Sequence, residues 1–533
     1  MAAVSTKGIG KIIFSSSLGT LIEWYDFYIF GMLAKTIAAQ FFPEGNDTAA
    51  LLSTLAIFAA GFIVRPFGAL VFGRLGDLVG RKYTFLLTLV LMGCSTFLIG
   101  LVPSYASIGI AAPLLVLLLR LVQGLALGGE YGGAATYVAE HAPAHRRGYF
   151  TAWIQTTATL GLFVALAVII LVKNSMTDAA FNAEWGGWRY PFWMSILLVG
   201  VSIYIRLKMN ESPLFAALKE SGHTSKNPLK ESFGIKANFK LVLLALFGAV
   251  MGQGVIWYTG QFYAQSFLEN NCKLDFLQSR EILLWAIALG TPFFLFFGWL
   301  SDKFGRKWIM LLGILLGAVF YMPIFNVFLQ ETNAPQWANE TTTKRIVTGE
   351  ETVSFSKLHS KDSLSQLQVS ENGFEYKGKT FTVKQTDTLN FIGEFTNSGY
   401  SGANMVIKDD QRYIKRSAKA QYLNIKLDNA TKWKFIGLVW VMIIFVTMAY
   451  GPIAAFLVEL FPTKIRYTSM SLPYHIGNGI FGGLVPFIAT LLSTTYQNDP
   501  LVGLWYPIAI AALCFVIGVM YLPNRKSENI DDQ

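Results

Sequence analysis

Long apolar runs broken by short polar stretches set the pattern of this chain. Hydrophobic segments cover residues 16–41, 50–73, 83–102, 108–139, 149–173, 189–208, 239–267, 281–300, 308–329, 434–459, 466–492 and 501–522. Most are about 20 residues or longer, enough for a helix to cross roughly 30 Å of hydrocarbon. The pattern predicts an all-α membrane protein of twelve transmembrane helices. A short charged motif falls between spans two and three, Gly73-Arg-Leu-Gly-Asp77-Leu-Val-Gly80-Arg81-Lys82. It recurs between spans eight and nine as Gly298-Trp-Leu-Ser-Asp302-Lys-Phe-Gly305-Arg306-Lys307. One loop at matching places in two halves marks an internal duplication, hence two six-helix bundles around a central path.

Composition agrees with this reading. Only 14% of the 533 residues are charged, against about 25% in soluble domains, and mean hydropathy is +0.45. The net charge of +10 follows from where the basic residues fall. Lys7, Lys11, Arg74, Arg81, Arg146, Arg147, Arg206, Lys303, Arg306, Lys464 and Arg525 all lie in or at the edge of alternate connections, and the opposite short loops 42–49, 103–107 and 493–500 carry no Lys or Arg. By the positive-inside rule both termini are cytoplasmic, in a multi-pass protein of the cytoplasmic (inner) membrane, and the charge is no nucleic-acid signal. Cys94, Cys272 and Cys514 make no disulfide framework. The first run is rich in aromatics and lacks a small-residue cleavage site, so it is not a removed signal peptide.

The expected organisation is an N-terminal bundle at 1–208, a cytoplasmic linker at 209–238 and three helices within 239–330. An extracytoplasmic insert at 331–433, three more helices within 434–522 and a tail at 523–533 complete it. The insert is polar and rich in Ser, Thr and Asn. Within it, Phe374-Glu-Tyr-Lys-Gly378-Lys-Thr-Phe-Thr-Val383 alternates around a glycine and predicts a hairpin, in a small β-rich domain or a partly disordered loop.

Ionisable residues inside apolar runs are costly and point to function. Glu23 and Asp26 share a helix face in span one. Their readings are proton carriage or charge lining a path, against a polar residue snorkelling to the membrane edge. Arg65 and Arg120 each require an anion, from the protein or from a substrate. Arg120 facing Asp26 would make a coupling pair that protonation opens, or else a static ion pair. Glu130 is a further candidate acid. Gly124, Gly128 and Gly132 stand at four-residue spacing. No Gly-Lys-Ser/Thr follows, so they read as close helix packing and not as a phosphate loop. Gln155, Gln253, Trp257, Tyr258, Gln261, Tyr450, Tyr474, His475 and Asn478 are candidates for a substrate-facing wall, with interhelical hydrogen bonding as the alternative. His475 has no partner at metal-ligand spacing, and neither metal nor cofactor is expected. Gly73, Asp77, Arg81, Asp302 and Arg306 suit a cytoplasmic latch whose ion pairs break and re-form.

These motifs together resemble the major facilitator superfamily. More narrowly, Glu23-Trp-Tyr-Asp26-Phe, Arg65-Pro66-Phe-Gly68-Ala, Arg120-Leu-Val-Gln-Gly124, Gly128-Gly129-Glu130, Arg147-Gly148-Tyr-Phe-Thr, Trp188-Arg189-Tyr-Pro191-Phe, Glu211-Ser212-Pro213 and Arg466-Tyr-Thr-Ser469 resemble its metabolite:proton symporters, which carry α-ketoglutarate, citrate, shikimate or proline/betaine. The resemblance implies proton-driven uptake of a small molecule, with Asp26 and Arg120 where relatives place the coupling pair; the protein is expected to function as a monomer. It departs at 331–433, where relatives usually have a short loop. The two buried arginines favour an organic acid, with a zwitterionic osmolyte as runner-up and a nutrient sensor as the rival from another class. An enzyme is the least supported reading, since no nucleophile–base pair or metal cluster stands out.

Overall fold

The computed structural model describes residues 9–79, 81–129, 135–136, 138–139, 142–207, 228–340, 342–346, 352–357, 366–394, 405–408, 411–417, 420–461, 466–496 and 499–523. Helix occupies every one of the twelve expected apolar segments within that range. We label those used below α1 (Ile9–Met32), α2 (Asp47–Ile63), α3 (Arg65–Val79), α4 (Arg81–Ile99), α5 (Ala111–Gly128), α6 (Arg147–Asn174), α7 (Tyr190–Leu207), α8 (Lys236–Asn270), α9 (Phe276–Gly290), α10 (Pro292–Phe304), α11 (Arg306–Gln330), α12 (Asn429–Tyr450), α13 (Ile453–Leu460) and α14 (Arg466–His475). Among the described residues nine helices are long and apolar enough to cross a bilayer. Their outer faces expose large apolar side chains such as Phe67, Leu114, Leu118, Leu171 and Leu513, which suits contact with hydrocarbon rather than water.

The chain divides into two compact units. The first takes Met1–Ser266, Leu283–Phe325 and Ile436–Gln533; the second takes Phe267–Ile282 and Asn326–Phe435. In the first, glycines set how closely helices cross. A Cβ at Gly124 would stand 1.9 Å from the Gly61 carbonyl oxygen, and one at Gly128 would stand 2.1 Å from that of Arg65. Helices α2, α3 and α5 therefore touch backbone to backbone, which bears out the packing reading of this glycine run. Gly132 lies outside the described residues.

Helix α8 departs from the regular helix that the spacing of Gln253, Trp257, Tyr258 and Gln261 assumes. It contains π-helical turns at Leu246–Val250 and Thr259–Tyr263, and a third follows α14 at Ile476–Gly482. Gln261 and Asn478 lie inside these turns. Such wide turns recur at functional sites.

The second unit contains a seven-stranded antiparallel sheet: β1 (Lys344–Ile346), β2 (Thr352–Lys357), β3 (Gln366–Tyr376), β4 (Lys379–Glu394), β5 (Met405–Lys408), β6 (Gln411–Ser417) and β7 (Gln421–Lys426). The main path runs β1-β3-β4-β6-β5, with β2 on β3 and β7 on β4. The expected hairpin is β3–β4, with Phe374 opposite Phe381. Lys377 and Gly378 both take positive φ, 49° and 79°, the geometry of a two-residue hairpin turn. Trp337 stacks on Tyr376 at 5.8 Å and 12°. Beside it Glu331 accepts Lys434 at 2.7 Å and Lys379 at 3.3 Å, which holds its carboxyl below the usual range. The Gln278 amide bonds both the N–H and the carbonyl of Leu427, at 2.7 and 2.9 Å, so it pairs with the chain as a neighbouring strand would.

Candidate functional site

All of the site lies in the first unit. The close crossing of α2, α3 and α5 brings Arg65 and Arg120 into one neighbourhood, and burial leaves them 1% and 0% exposed. The Arg65 guanidinium carbon sits 4.1 Å from the Phe62 ring centre and 4.4 Å from that of Phe27. The Arg120 carbon sits 4.3 Å from Phe27, 4.6 Å from Phe30 and 5.0 Å from Phe58. One ring, Phe27, thus touches both cations. Arg120 Nη1 donates to Gln123 Oε1 at 2.7 Å. Neither guanidinium makes an ion pair with a described carboxylate, and Nε and Nη2 of both have no hydrogen-bond partner among the described residues. A cation–π contact is worth about 0.5–2 kcal/mol, while each buried ion loses several kcal/mol of hydration. The rings therefore offset only part of the cost of burying the pair.

The coupling pair expected between Asp26 and Arg120 is not formed. Asp26 is 2% exposed, its Oδ1 has no partner among the described residues, and the polar group beside it is the Ser195 hydroxyl on α7. Phe27 and Phe30 occupy the space beside the Arg120 guanidinium, while the Asp26 carboxyl is directed to Ser195 on α7. Glu23 is equally buried. Glu130 lies outside the described residues, and the Gly73, Asp77 and Arg81 positions are described as helical backbone only.

Residues of the second half pack against this aromatic cluster. Trp257 packs on Trp24 at 5.9 Å, on Tyr28 at 5.7 Å and on Tyr450 at 6.1 Å, while Tyr258 meets Phe62 edge-on at 5.0 Å. Tyr258 and His475 both stand close to Arg65. The Tyr450 and Tyr474 hydroxyls share a hydrogen bond of 2.6 Å, and Asn478 Nδ2 donates to Gln253 Oε1 at 3.0 Å. Gln155 is fully buried on α6. Several polar atoms have no partner among the described residues: both ring nitrogens of His475, both amide atoms of Gln261, Gln253 Nε2 and Trp257 Nε1. An apolar surround with a few unsatisfied polar groups is the usual make-up of a small-molecule site.

A second cluster joins the halves at the start of α6. Asp302 Oδ1 and Oδ2 accept the backbone N–H groups of Gly148 and Tyr149 at 2.8 and 2.9 Å. A carboxylate from α10 thereby caps the N-terminus of α6. Arg306 reaches Asp302 at 2.7 Å and grips Glu459 with two bonds, at 3.0 and 2.8 Å. Arg147 Nη1 adds a contact to Glu459 at 3.3 Å. Gly148 and Gly298 permit the approach, since a Cβ at Gly148 would fall 2.5 Å from the Gly298 carbonyl. Glu459 was missed in sequence, although an acid at the end of the apolar run 434–459 was a usable signal. Gly161 on α6 packs against Trp24, so this cluster lies about 21 Å along α6 from the aromatic site.

Long apolar helices packed around two buried arginines in an aromatic surround fit a membrane transporter. Comparison with known proteins agrees. The family described as Sugar (and other) transporter matches residues 12–240. The inner membrane metabolite transport protein YhjE of Escherichia coli K12 is 37% identical over 61% of this chain and 73% of its own length. The proline/betaine transporter of Salmonella typhimurium is 35% identical over 59% of this chain and 64% of its own. The citrate-proton symporter of Klebsiella pneumoniae is 28% identical over 99% of this chain and 94% of its own. Among solved structures, the xylose transporter XylE of E. coli superposes with a TM-score of 0.63 over 98% of this chain and all of that one, at 16% identity. The chain belongs to the sugar and metabolite transporter family of the major facilitator superfamily.

Proposed function

We propose that this protein is an inner-membrane symporter that takes up a small organic acid with a proton. Its twelve helices form two six-helix bundles with both termini cytoplasmic, and these alternate access to the aromatic site. The observation that supports the substrate class is the pair of buried guanidiniums that, among the described residues, have no ion-paired carboxylate and no acceptor for Nε and Nη2. A bound carboxylate supplies the missing acceptors and the missing charge. Asp26 is the proton carrier in this reading. Its carboxyl is buried, with Oδ1 lacking a partner among the described residues, and its separation from Arg120 lets proton and solute occupy different places. Substrate ligands beyond the arginines are drawn from Gln155, Gln253, Trp257, Tyr258, Gln261, Tyr450, Tyr474, His475 and Asn478, and the Asp302–Arg306 cluster is the cytoplasmic latch.

A zwitterionic osmolyte is the second reading, favoured by the aromatic rings around the site, which also suit a quaternary ammonium. Purified protein in proteoliposomes with an imposed inside-alkaline pH gradient separates the two. Labelled citrate, α-ketoglutarate and shikimate are tested beside proline and glycine betaine. Gradient-dependent accumulation of an acid is expected; accumulation of proline or betaine alone moves the assignment to the osmolyte, and no accumulation of any of them refutes the proposal.

A further inference from the structure

We propose that Gln123, oriented by Thr96, is the positioning residue that holds Arg120 with its free N–H edge available to a ligand. The inference rests on the carboxylate-binding reading of the site. The Thr96 hydroxyl donates its one proton to the Met92 carbonyl at 3.0 Å. It can therefore only accept from the Gln123 side chain, whose Nε2 stands 2.6 Å away. That fixes the amide: Nε2 faces Thr96, and Oε1 faces Arg120 Nη1 at 2.7 Å. All three side chains are fully buried, so water does not compete for these bonds.

Two consequences follow for the guanidinium. Nη1 is held, and the Nε–Nη2 edge is left without a partner among the described residues. That edge lies beside Gly61, where a Cβ would stand 3.5 Å from Nη2 and 3.6 Å from Nε. Two parallel N–H groups on one edge are the donor set that a carboxylate takes in a bidentate pair. The neutrality of Gln123 matters as much as its shape. A glutamate there has the same size, but its charge would satisfy Arg120 internally and leave the ligand nothing to neutralise.

The test measures KM and kcat for whichever labelled carboxylate solute the wild type carries, together with thermal-shift titrations in detergent using citrate, α-ketoglutarate, proline and glycine betaine. Gln123→Met and Thr96→Val are expected to raise KM about tenfold with kcat within about threefold, because ground-state and transition-state contacts are lost together. Thr96→Ser, which keeps the hydroxyl, should bring KM back within about twofold. Gln123→Glu, which changes charge at constant shape, should lower kcat/KM at least about a hundredfold. A merely structural role would tolerate Gln123→Glu better than Gln123→Met and would lower kcat or protein yield without a split from KM; that order overturns the proposal. Failure of every solute in vesicles counts against the transport reading. The positioning role is then read from the titrations alone, where equal midpoint shifts for wild type and Thr96→Val overturn it.

Discussion

Asp302→Asn is expected to unlatch the end of the molecule at which α6 begins. The wild-type carboxylate accepts three bonds, from Gly148 N, Tyr149 N and Arg306, all between 2.7 and 2.9 Å, and its side chain is 5% exposed. Asparagine keeps one acceptor oxygen, turns an N–H donor toward a backbone donor or the guanidinium, and removes the charge that complements both Arg306 and the α6 N-terminus. Charge-assisted bonds contribute about 1.5–3 kcal/mol each. Some of this returns as hydration when the joint opens, so a net shift of about 3 kcal/mol is reasonable. At about 1.4 kcal/mol per tenfold, the ratio of closed to open joint falls roughly a hundredfold. Spin labels at the exposed positions 145 and 303, in a background lacking Cys94, Cys272 and Cys514, report the distance across the joint. A short-distance population in wild type should give way to a longer one in Asp302→Asn, and Glu459→Gln should act in the same direction. Unchanged distance distributions in both variants would refute the reasoning.

Further outcomes are expected elsewhere in the molecule. Asp26→Asn should abolish proton-driven accumulation while leaving solute exchange across vesicles measurable; full accumulation removes Asp26 from the proton path. Arg120→Lys should cut transport strongly, because an ammonium cannot present two parallel N–H groups, and wild-type rates in that variant exclude it from the site. Gly124→Ala should lower the unfolding midpoint, since the new Cβ would meet the Gly61 carbonyl at 1.9 Å; overpacking costs about 1–3 kcal/mol or more, and an unchanged midpoint means the helices part freely there. Deleting residues 340–425 should leave uptake intact if the insert is peripheral to transport; a deletion that keeps uptake but abolishes a signalling output would identify a sensor.

Much of this architecture could be read from one-dimensional patterns, because those patterns are set by local physics. Apolar run length marks the helices, and Lys377-Gly378 between alternating residues marks the hairpin turn. The cost of charge in hydrocarbon singled out Arg65, Arg120 and Asp26, and the repeated motif singled out Asp302 and Arg306. What the sequence did not reveal depends on rotation between distant segments. Asp26 shares a helix face with Phe30, and only the packing of α1 against its neighbours decides that the ring meets Arg120 and the carboxyl meets Ser195. The Thr96–Gln123–Arg120 chain joins α4 to α5, and Glu459 meets Arg306 and Arg147 only because three helix ends converge. The π turns in α8 carry no sequence mark beyond glycines common to many helices, yet they place Gln261 off the regular spacing.

Proton movement on addition of an unlabelled carboxylate tests the central claim most directly. Proteoliposomes without an imposed gradient are given citrate or α-ketoglutarate while the external pH is recorded. Uptake of acid and proton together predicts prompt external alkalinisation that is absent in Asp26→Asn and in Arg120→Lys. No pH change with any carboxylate, in vesicles shown to hold folded protein, would contradict the account.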